Sequence, residues 1–458
     1  MSNAAAIHPG WQPSASSVRK ADFAAFCNWA ICWILLPNLP FLPITLMGGP
    51  MRAFEIWVCG IVGLLVRRMN YALRLTIFVA LLVWLVTDFI AAMFNMSITM
   101  IVSVAALVLD ISPAVSPEYM IGAALLVATI GLAAWRLRIR GDFQGLHWVV
   151  GAFALTVTAG FADFGLAKEN ATSYSRSAPA DAPFSSASLQ TDVAALADGK
   201  TNVLVVVVEA MGLPREPHLR ARLDDIWNRP EFAKHFDISH GDTVFYNSTT
   251  KGEIRELCQR WDDFKTITTP QPTCLPARLA KRGYQTHAIH SFSPKFFDRD
   301  RWYPLIGFQR MTFGPELEAQ GAHHCPNVFP GACDRDVPRF IGKELAQAKQ
   351  PQFTYWLTLN SHLPVVANQE LRTENCRQLG PALDGDYPQV CRLFSIWDGT
   401  AEALAKMTAD PSFPPTHILI VGDHMPPFTH QKSRLLFDPA HVPWVLLRYR
   451  PSPPRAKS

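Results

Sequence analysis

The chain has 458 residues, 49% hydrophobic and 17% charged, which is too long for one small module and too apolar for a disordered segment. With 42 Lys+Arg against 38 Asp+Glu, a net charge of +4 gives no general basic field of the kind that drives nucleic-acid binding, so no nucleic-acid partner is expected. The apolar excess lies in the first third of the chain.

Phe23 to Met47, Leu73 to Phe94, Tyr119 to Trp135 and Leu146 to Phe164 are apolar runs near the length that crosses ~30 Å of hydrocarbon as a helix. Phe54 to Val66 is shorter, but Met51 and the snorkelling Arg67 and Arg68 extend it, which predicts a fifth span. Ile98 to Ile111 contains Asp110 and precedes Pro113, so it reads equally as a re-entrant or interfacial helix and as a sixth span. Asp88 and Asp110 are costly in lipid and are expected to face a helix interior or the surface. Arg19 and Lys20, then Arg67, Arg68 and Arg74, then Arg136, Arg138 and Arg140 all belong on the cytoplasmic side if five spans are counted, which puts everything after Phe164 outside. No short apolar segment with a small-residue cleavage site opens the chain, so the first span is expected to be an anchor. The expected organisation is therefore a cytoplasmic tail over 1–22, a membrane domain of about five helices over 23–165, a linker along the membrane surface over 166–200, an outer domain over 201–450 and a tail over 451–458.

From Thr201 short β-branched runs alternate with helical stretches: Asn202 to Val208, Thr286 to His290, Phe353 to Leu359, Thr416 to Val421 and Pro443 to Arg448. Runs apolar on both faces predict an α/β domain with a mainly parallel central sheet covered by helices. Cys27, Cys32 and Cys59 lie in the spans and read as small packing residues. Cys258 with Cys274, Cys325 with Cys333, and Cys376 with Cys391 form close pairs in the part predicted to lie outside, where disulfides persist. Nearest-neighbour pairing is expected because each bond would staple one local loop. A zinc ribbon is the weaker reading, since no pair has CxxC spacing.

The strands deliver polar residues at their C-terminal ends, where open α/β sheets bind ligands. Asn202 to Val208 runs into Glu209, Thr416 to Val421 into Gly422, Asp423 and His424, and Phe353 to Leu359 into Asn360, Ser361 and His362. A carboxylate, an Asp-His pair and a further His converging on one edge predict a divalent-metal site.

In order along the chain stand Val205 through Gly212, Tyr246-Asn247-Ser248-Thr249-Thr250-Lys251-Gly252, His290 through Phe296-Phe297-Asp298-Arg299-Asp300, Asn360-Ser361-His362 and Val421-Gly422-Asp423-His424. This ordered set resembles the sulfatase-like branch of the alkaline phosphatase superfamily, and within it the membrane phosphotransferases typified by lipoteichoic acid synthase and the phosphoglycerol transferases of periplasmic glucans. The resemblance covers about residues 201 to 448, and five preceding spans are also that family's arrangement. It implies one divalent ion (Mn, Zn or Mg) held by Glu209, Thr249, Asp423 and His424, with Thr249 as nucleophile. It places His290 and Arg299 at substrate-contacting positions, and Phe297 where the synthases carry Trp. His362 suits the holding of phosphate oxygens or the leaving glycerol. Thr249-Thr250-Lys251-Gly252 is similar to the Thr-x-x-Gly of the phosphoglycerol transferases, and Thr249 to Glu253 reproduces a spacing found in the synthases. Thr250 is the rival nucleophile, and a helix-capping Thr is the bland reading.

The implied activity is transfer of a phosphoglycerol head group from a phospholipid in the bilayer to a glycan or other cell-envelope acceptor, with release of diacylglycerol, on the outer side of the cytoplasmic membrane. The alternatives are a phosphoethanolamine transferase and a sulfatase or phosphodiesterase hydrolase. Cys274-Leu275-Pro276-Ala277-Arg278 fits the Cys-x-Pro-x-Arg signature of formylglycine sulfatases, but a helix and the Gly283-Tyr284 turn follow at once, and it reads as a decoy.

Overall fold

The computed structural model describes residues 15–47, 49–93, 111–139, 141–167, 178–246, 248–376, 385–428 and 430–451. Arg140, most of the tail expected over 1–22, nearly all of the Ile98 to Ile111 segment with Asp110, and the first part of the expected linker lie outside the described residues. Two compact units divide the chain: residues 1–89 with 121–169, and residues 90–120 with 170–458.

Mostly in the first unit, four helical stretches among the described residues are long and apolar enough to cross a membrane: Lys20–Leu46, Tyr71–Met93, Pro117–Arg136 and Leu146–Ala167, the second and third of them running across the boundary between the units. Ala53–Val66, expected as a fifth span, is a shorter apolar helix of 14 residues, about 21 Å long at ~1.5 Å per residue. The first stretch is irregular. A π turn, Ile31–Leu35, and a 3-10 turn, Leu36–Phe41, interrupt it, because Pro37, Pro40 and Pro43 remove amide donors that a continuous α-helix needs. Small residues set the packing of Ala53–Val66 on Leu146–Ala167: a Cβ on Gly60 would lie 2.2 Å from Thr156 Oγ1, and one on Gly160 1.9 Å from Trp57 Nε1. Asp88, expected to face a helix interior or the surface, shares a hydrogen bond with Glu55. The Arg52 amide donates to Asp163 Oδ2 at 2.6 Å.

The second unit is built on β1 (Asn202–Val208), β2 (Phe236–Val244), β3 (Gln285–His290), β4 (Arg310–Thr312), the two-residue strands β5 (His324–Cys325) and β6 (Gly331–Ala332), β7 (Gln352–Leu357), β8 (Thr416–Gly422) and β9 (His441–Tyr449). Seven of them form one sheet in the order β2-β9-β8-β1-β7-β3-β4. β8, β1, β7, β3 and β4 run parallel, and β9 is antiparallel to both its neighbours. The valine run of β1 is buried along its whole length because both faces are covered. Leu204, Val206 and Val208 enter one core with Trp356 and Trp397, while Val203, Val205 and Val207 enter the other with Phe353 and Tyr355. Val207 pairs with Leu357 on one side and Val421 on the other, so three C-terminal strand ends finish level.

β2 and β4 escape the sequence reading for a physical reason. β2 is an edge strand whose Asp237, Ser239, His240 and Asp242 face water, and β4 has three residues at the other edge. Residues 178–199, expected as linker on a membrane surface, instead pack on the sheet unit. Ala187, Val193, Ala194 and Ala197 are buried in its second core, and Ser186 and Asp192 cap two one-turn helices, Ala187–Gln190 and Val193–Leu196. Disulfides join Cys258 to Cys274, Cys325 to Cys333 and Cys376 to Cys391, whereas Cys27, Cys32 and Cys59 are free.

Candidate active site

β1 and β8 end side by side, and the chain turns sharply after each. Glu209 follows β1, and the next residue, Ala210, takes a left-handed φ of 54°, which costs energy for a residue with a Cβ. Three side chains or backbone groups fix this turn: the Glu209 amide donates to Thr358 Oγ1 at 2.9 Å, Ser361 Oγ donates to the Glu209 carbonyl at 2.6 Å, and the Ala210 amide donates to Asp423 Oδ1 at 2.8 Å. After β8, the His424 amide donates to the same Asp423 oxygen at 2.7 Å. Gly422 is required where β8 ends, since a Cβ there would lie 2.0 Å from the Met211 carbonyl oxygen.

Thr249 opens the helix Thr249–Cys258. The residue before it, Ser248, has φ 101°, a strained conformation that swings the helix N-terminus over the strand ends. Gly252 lets the first turn lie against the ligand turn, because a Cβ there would be 2.9 Å from Asp423 Cβ. Thr249 Oγ1 donates to Glu209 Oε2 at 3.1 Å and lies 3.3 Å from His424 Nε2. Thr250 is buried too, but its hydroxyl pairs with Ser248 Oγ at 3.3 Å. Of the two threonines, Thr249 is the one facing the carboxylates.

Glu209, Asp423 and His424 bring their ligand atoms within 4.8 Å of one another, the group of this kind found among the described residues. All three are buried. Asp423 Oδ2 is enclosed with no hydrogen-bond partner, 3.3 Å from His424 Nε2. His424 Nδ1 lies 2.8 Å from the Met425 carbonyl; donation there orients the ring with Nε2 toward the carboxylates, the second-shell arrangement of a metal-ligating imidazole, and a bound cation would take the place of the Nε2 proton. The electrostatics describe a negative cluster short of a cation. Burial first, then the charge of Glu209, pushes Asp423 up to about 7. Burial opposes ionisation of Glu209, but the hydrogen bond from His424 and the charges of His362 and His424 outweigh it and hold the carboxyl at about 2. Burial likewise opposes charge on His424, yet Asp423 and Glu209 raise it to about 9. An orphaned carboxylate oxygen, two carboxylates, an imidazole and a hydroxyl fit a divalent cation, and the donor set suits Mn, Mg and Zn alike.

The remaining expected residues fall on two levels. His290, at the end of β3, and His362, after β7, turn Nδ1 toward the carbonyls of Leu357 at 3.1 Å and Leu363 at 2.9 Å. Burial, reinforced by the charge of Arg299, holds His290 well below the usual imidazole value. Burial also lowers His362 against the pull of Glu209. Burial thus disfavours the charged form of both rings. Arg299 is 1% exposed and occupied within the protein: Nη2 donates to Glu253 Oε2 at 2.8 Å and Nη1 to the Phe296 carbonyl at 3.1 Å. Tyr303 and Tyr355 donate to the other oxygen of Glu253. Phe297, at φ 58°, packs in the second core with Arg299 5.3 Å above its ring. Three buried charged residues around the site are not marked by any motif. Asp334 holds Ser291 Oγ at 2.6 Å and the amides of Leu359 and Asn360 at 2.8 and 2.6 Å; Arg255 and Glu256 lie in the nucleophile helix. A charged pair on a helix reads as a solvated face, and nothing short of the fold reveals that this one is enclosed.

Comparison with known proteins gives a match of residues 245–446 to the family model described as Sulfatase. A curated relative from Rhizobium meliloti, named "Putative cyclic beta-1,2-glucan modification protein", is 27% identical over 168 residues, 35% of this chain and 24% of that protein. The match thus spans about a quarter of the relative's length. Among solved structures, the lipoteichoic acid synthase LtaP from Listeria monocytogenes is similar at 15% identity, with 58% of this chain and 72% of that chain covered and a TM-score of 0.42. The lipooligosaccharide phosphoethanolamine transferase EptA from Neisseria meningitidis is similar at 12% identity, with 95% and 89% covered and a TM-score of 0.41.

Proposed function

Residues 245–446 match the Sulfatase family model, and from that premise we propose that the protein is a membrane-anchored phosphotransferase that moves a phosphoglycerol head group from a phospholipid to a glycan of the cell envelope. The observation that carries the reading is the Thr249 hydroxyl set at hydrogen-bond distance of Glu209 and His424 in one buried cluster. The glycan acceptor is supported by the name of the Rhizobium meliloti relative, and phosphoglycerol by the Thr249-Thr250-Lys251-Gly252 pattern. The apolar helices are read as the anchor, with the sheet unit on the outer side.

In this reading Thr249 Oγ1 attacks the head-group phosphorus as the bond from phosphorus to the diacylglycerol oxygen breaks. The Thr249 hydroxyl, hydrogen-bonded to Glu209 Oε2, gives up its proton to water, and the departing oxygen takes one from water as diacylglycerol leaves. An acceptor hydroxyl then attacks the same phosphorus and returns Thr249 to its hydroxyl form. A divalent ion held by Glu209, Thr249, Asp423 and His424 would neutralise charge developing on the nucleophile and the phosphoryl oxygens. His290 and His362, at the end of β3 and after β7, suit contacts with the phosphate or the glycerol head group. Placing the site on a membrane protein raises the effective concentration of an insoluble donor.

Peptide mass spectrometry after exposure to phosphatidylglycerol vesicles tests the reading. A phosphoglycerol adduct on the peptide containing Thr249, absent from Thr249→Ala, is the expected result. A phosphoethanolamine adduct would move the donor to that lipid. Absence of both adduct and released diacylglycerol, with sulfate ester or phosphodiester hydrolysis instead, would overturn transfer in favour of a hydrolase.

A further inference from the structure

Arg255 and Glu256 lie near the end of the nucleophile helix, at 1% and 0% exposure. Their own ion pair is short, with Arg255 Nε donating to Glu256 Oε1 at 2.6 Å. Each charge is also committed in a second direction. Arg255 Nη2 donates to the Gly422 carbonyl at 2.7 Å and Nη1 to the Asp423 carbonyl at 3.1 Å. These are the backbone oxygens of the turn that carries Asp423 and His424. Glu256 faces the other way and accepts the amides of Ala187 and Ser188 at 3.3 and 2.8 Å, while its own carbonyl accepts Ser188 Oγ at 2.8 Å. A continuous set of charge-assisted bonds therefore runs from the strap at 186–188, through the nucleophile helix, into the ligand turn.

Burying both members of an ion pair is costly and is offset only when every donor and acceptor is used with good geometry. Here the offset comes from two segments far apart in sequence, one of them ahead of the first strand. The strap is held independently on its C-terminal side, since Gln190 donates to the Asp242 carbonyl and accepts from Trp444 Nε1 at 2.8 Å, and Arg282 donates to the carbonyls of Ala194 and Ala197.

We propose that Arg255 and Glu256 are positioning residues that hold the Gly422–His424 turn from the strap at 186–188, so that this strap, ahead of the sheet domain, is part of the apparatus that shapes the metal site. The inference rests on the reading of Glu209, Asp423 and His424 as that site. Loss of such outer-shell support weakens metal binding by about 10- to 100-fold.

The test is cobalt binding to the full-length protein in detergent, read as affinity and as the visible absorption of the bound ion. Arg255→Met and Glu256→Gln are expected to weaken cobalt about 10- to 100-fold and to alter its absorption, with Arg255→Lys recovering part of the loss. Unchanged affinity and absorption, with only a lowered melting temperature, would overturn the proposal and make the pair a structural buttress. Should the charge variants fail to fold, Ser188→Ala removes one bond from strap to helix and leaves the ion pair intact. A several-fold loss of affinity then supports the proposal, and none overturns it. If the unaltered protein takes up no cobalt, the metal reading itself fails. The relay is then decided by hydrogen–deuterium exchange: Ser188→Ala must speed exchange of the 416–428 peptide more than that of the other sheet strands, and equal exchange overturns it.

Discussion

The first third of the chain and the sheet domain use the same apolar side chains toward opposite ends. From Phe23 to Leu166 large hydrophobics stand on the outside, among them Leu46 at 74%, Leu65 at 71%, Val127 at 72% and Leu146 at 78% exposed. After residue 170, Leu189 and Leu435 are the exposed large hydrophobics among the described residues. The first region leaves its apolar surface for a hydrocarbon solvent and packs through close contacts at Gly60 and Gly160; the second hides its apolar surface on both sides of a sheet and gives its polar residues to the strand ends. Hydrophobicity holds the second region together, whereas in the first it mainly chooses the surroundings.

The largest expected effect lies wholly in the second region. Thr249→Ala should lower phosphoryl transfer by more than about 1,000-fold and leave extraction from membranes by detergent unchanged; Thr250→Ala should retain most of the turnover, and a dead Thr250→Ala would exchange the two roles. Reduction of the three disulfides should next destabilise the sheet domain by about 2–5 kcal/mol for each bond, visible in its denaturant midpoint but not in the helicity of the first region. Six free thiols on the purified, unreduced protein would remove this prediction. Two glycines sharpen the contrast at smaller scale. Gly252→Ala pushes a Cβ into Asp423 and should cost about 1–3 kcal/mol by overpacking, while Gly122→Ala, with nothing within 4 Å of the added atom, should be neutral in thermal melts.

The smallest effect concerns acid. His287 is buried between Glu344 and Thr312, and burial, outweighing the pull of Glu344, holds it below the usual imidazole value. As pH falls through the unfolded value of about 6.5, the unfolded chain takes up a proton that the folded chain resists. Stability therefore declines on the acid side, by at most about 1.4 kcal/mol per pH unit for this group. His287→Gln should flatten that limb of a chemical-denaturation series against pH.

The parts legible in the sequence were those written in one local pattern. The run Val203–Val208 could belong only to a strand covered on both sides, and a carboxylate or Asp-His pair directly after such a run marks the ligand edge without any tertiary knowledge. Thr249 needed the resemblance, since a Thr opening a helix is otherwise an ordinary cap. Residues defined by distant partners stayed hidden. Arg255 looks like a surface cation until Gly422 and Asp423 are placed beside it. Arg299 looks free until Glu253, Tyr303 and Tyr355 close around one another. The strap at 178–199 has a linker's composition, and its few alanines and one valine reveal their burial only against the sheet.

The two edges of the sheet carry a consequence for many copies held side by side. Proteins confined to a bilayer meet in two dimensions, at high local density and with a common orientation, the condition under which an open strand edge would zip neighbours into a polymer. β2 closes one edge with Asp237 and Asp242 projecting into water, and at the other β4 offers a ladder of three residues. A second copy would meet exposed carboxylates along one flank and a ladder of only three residues along the other.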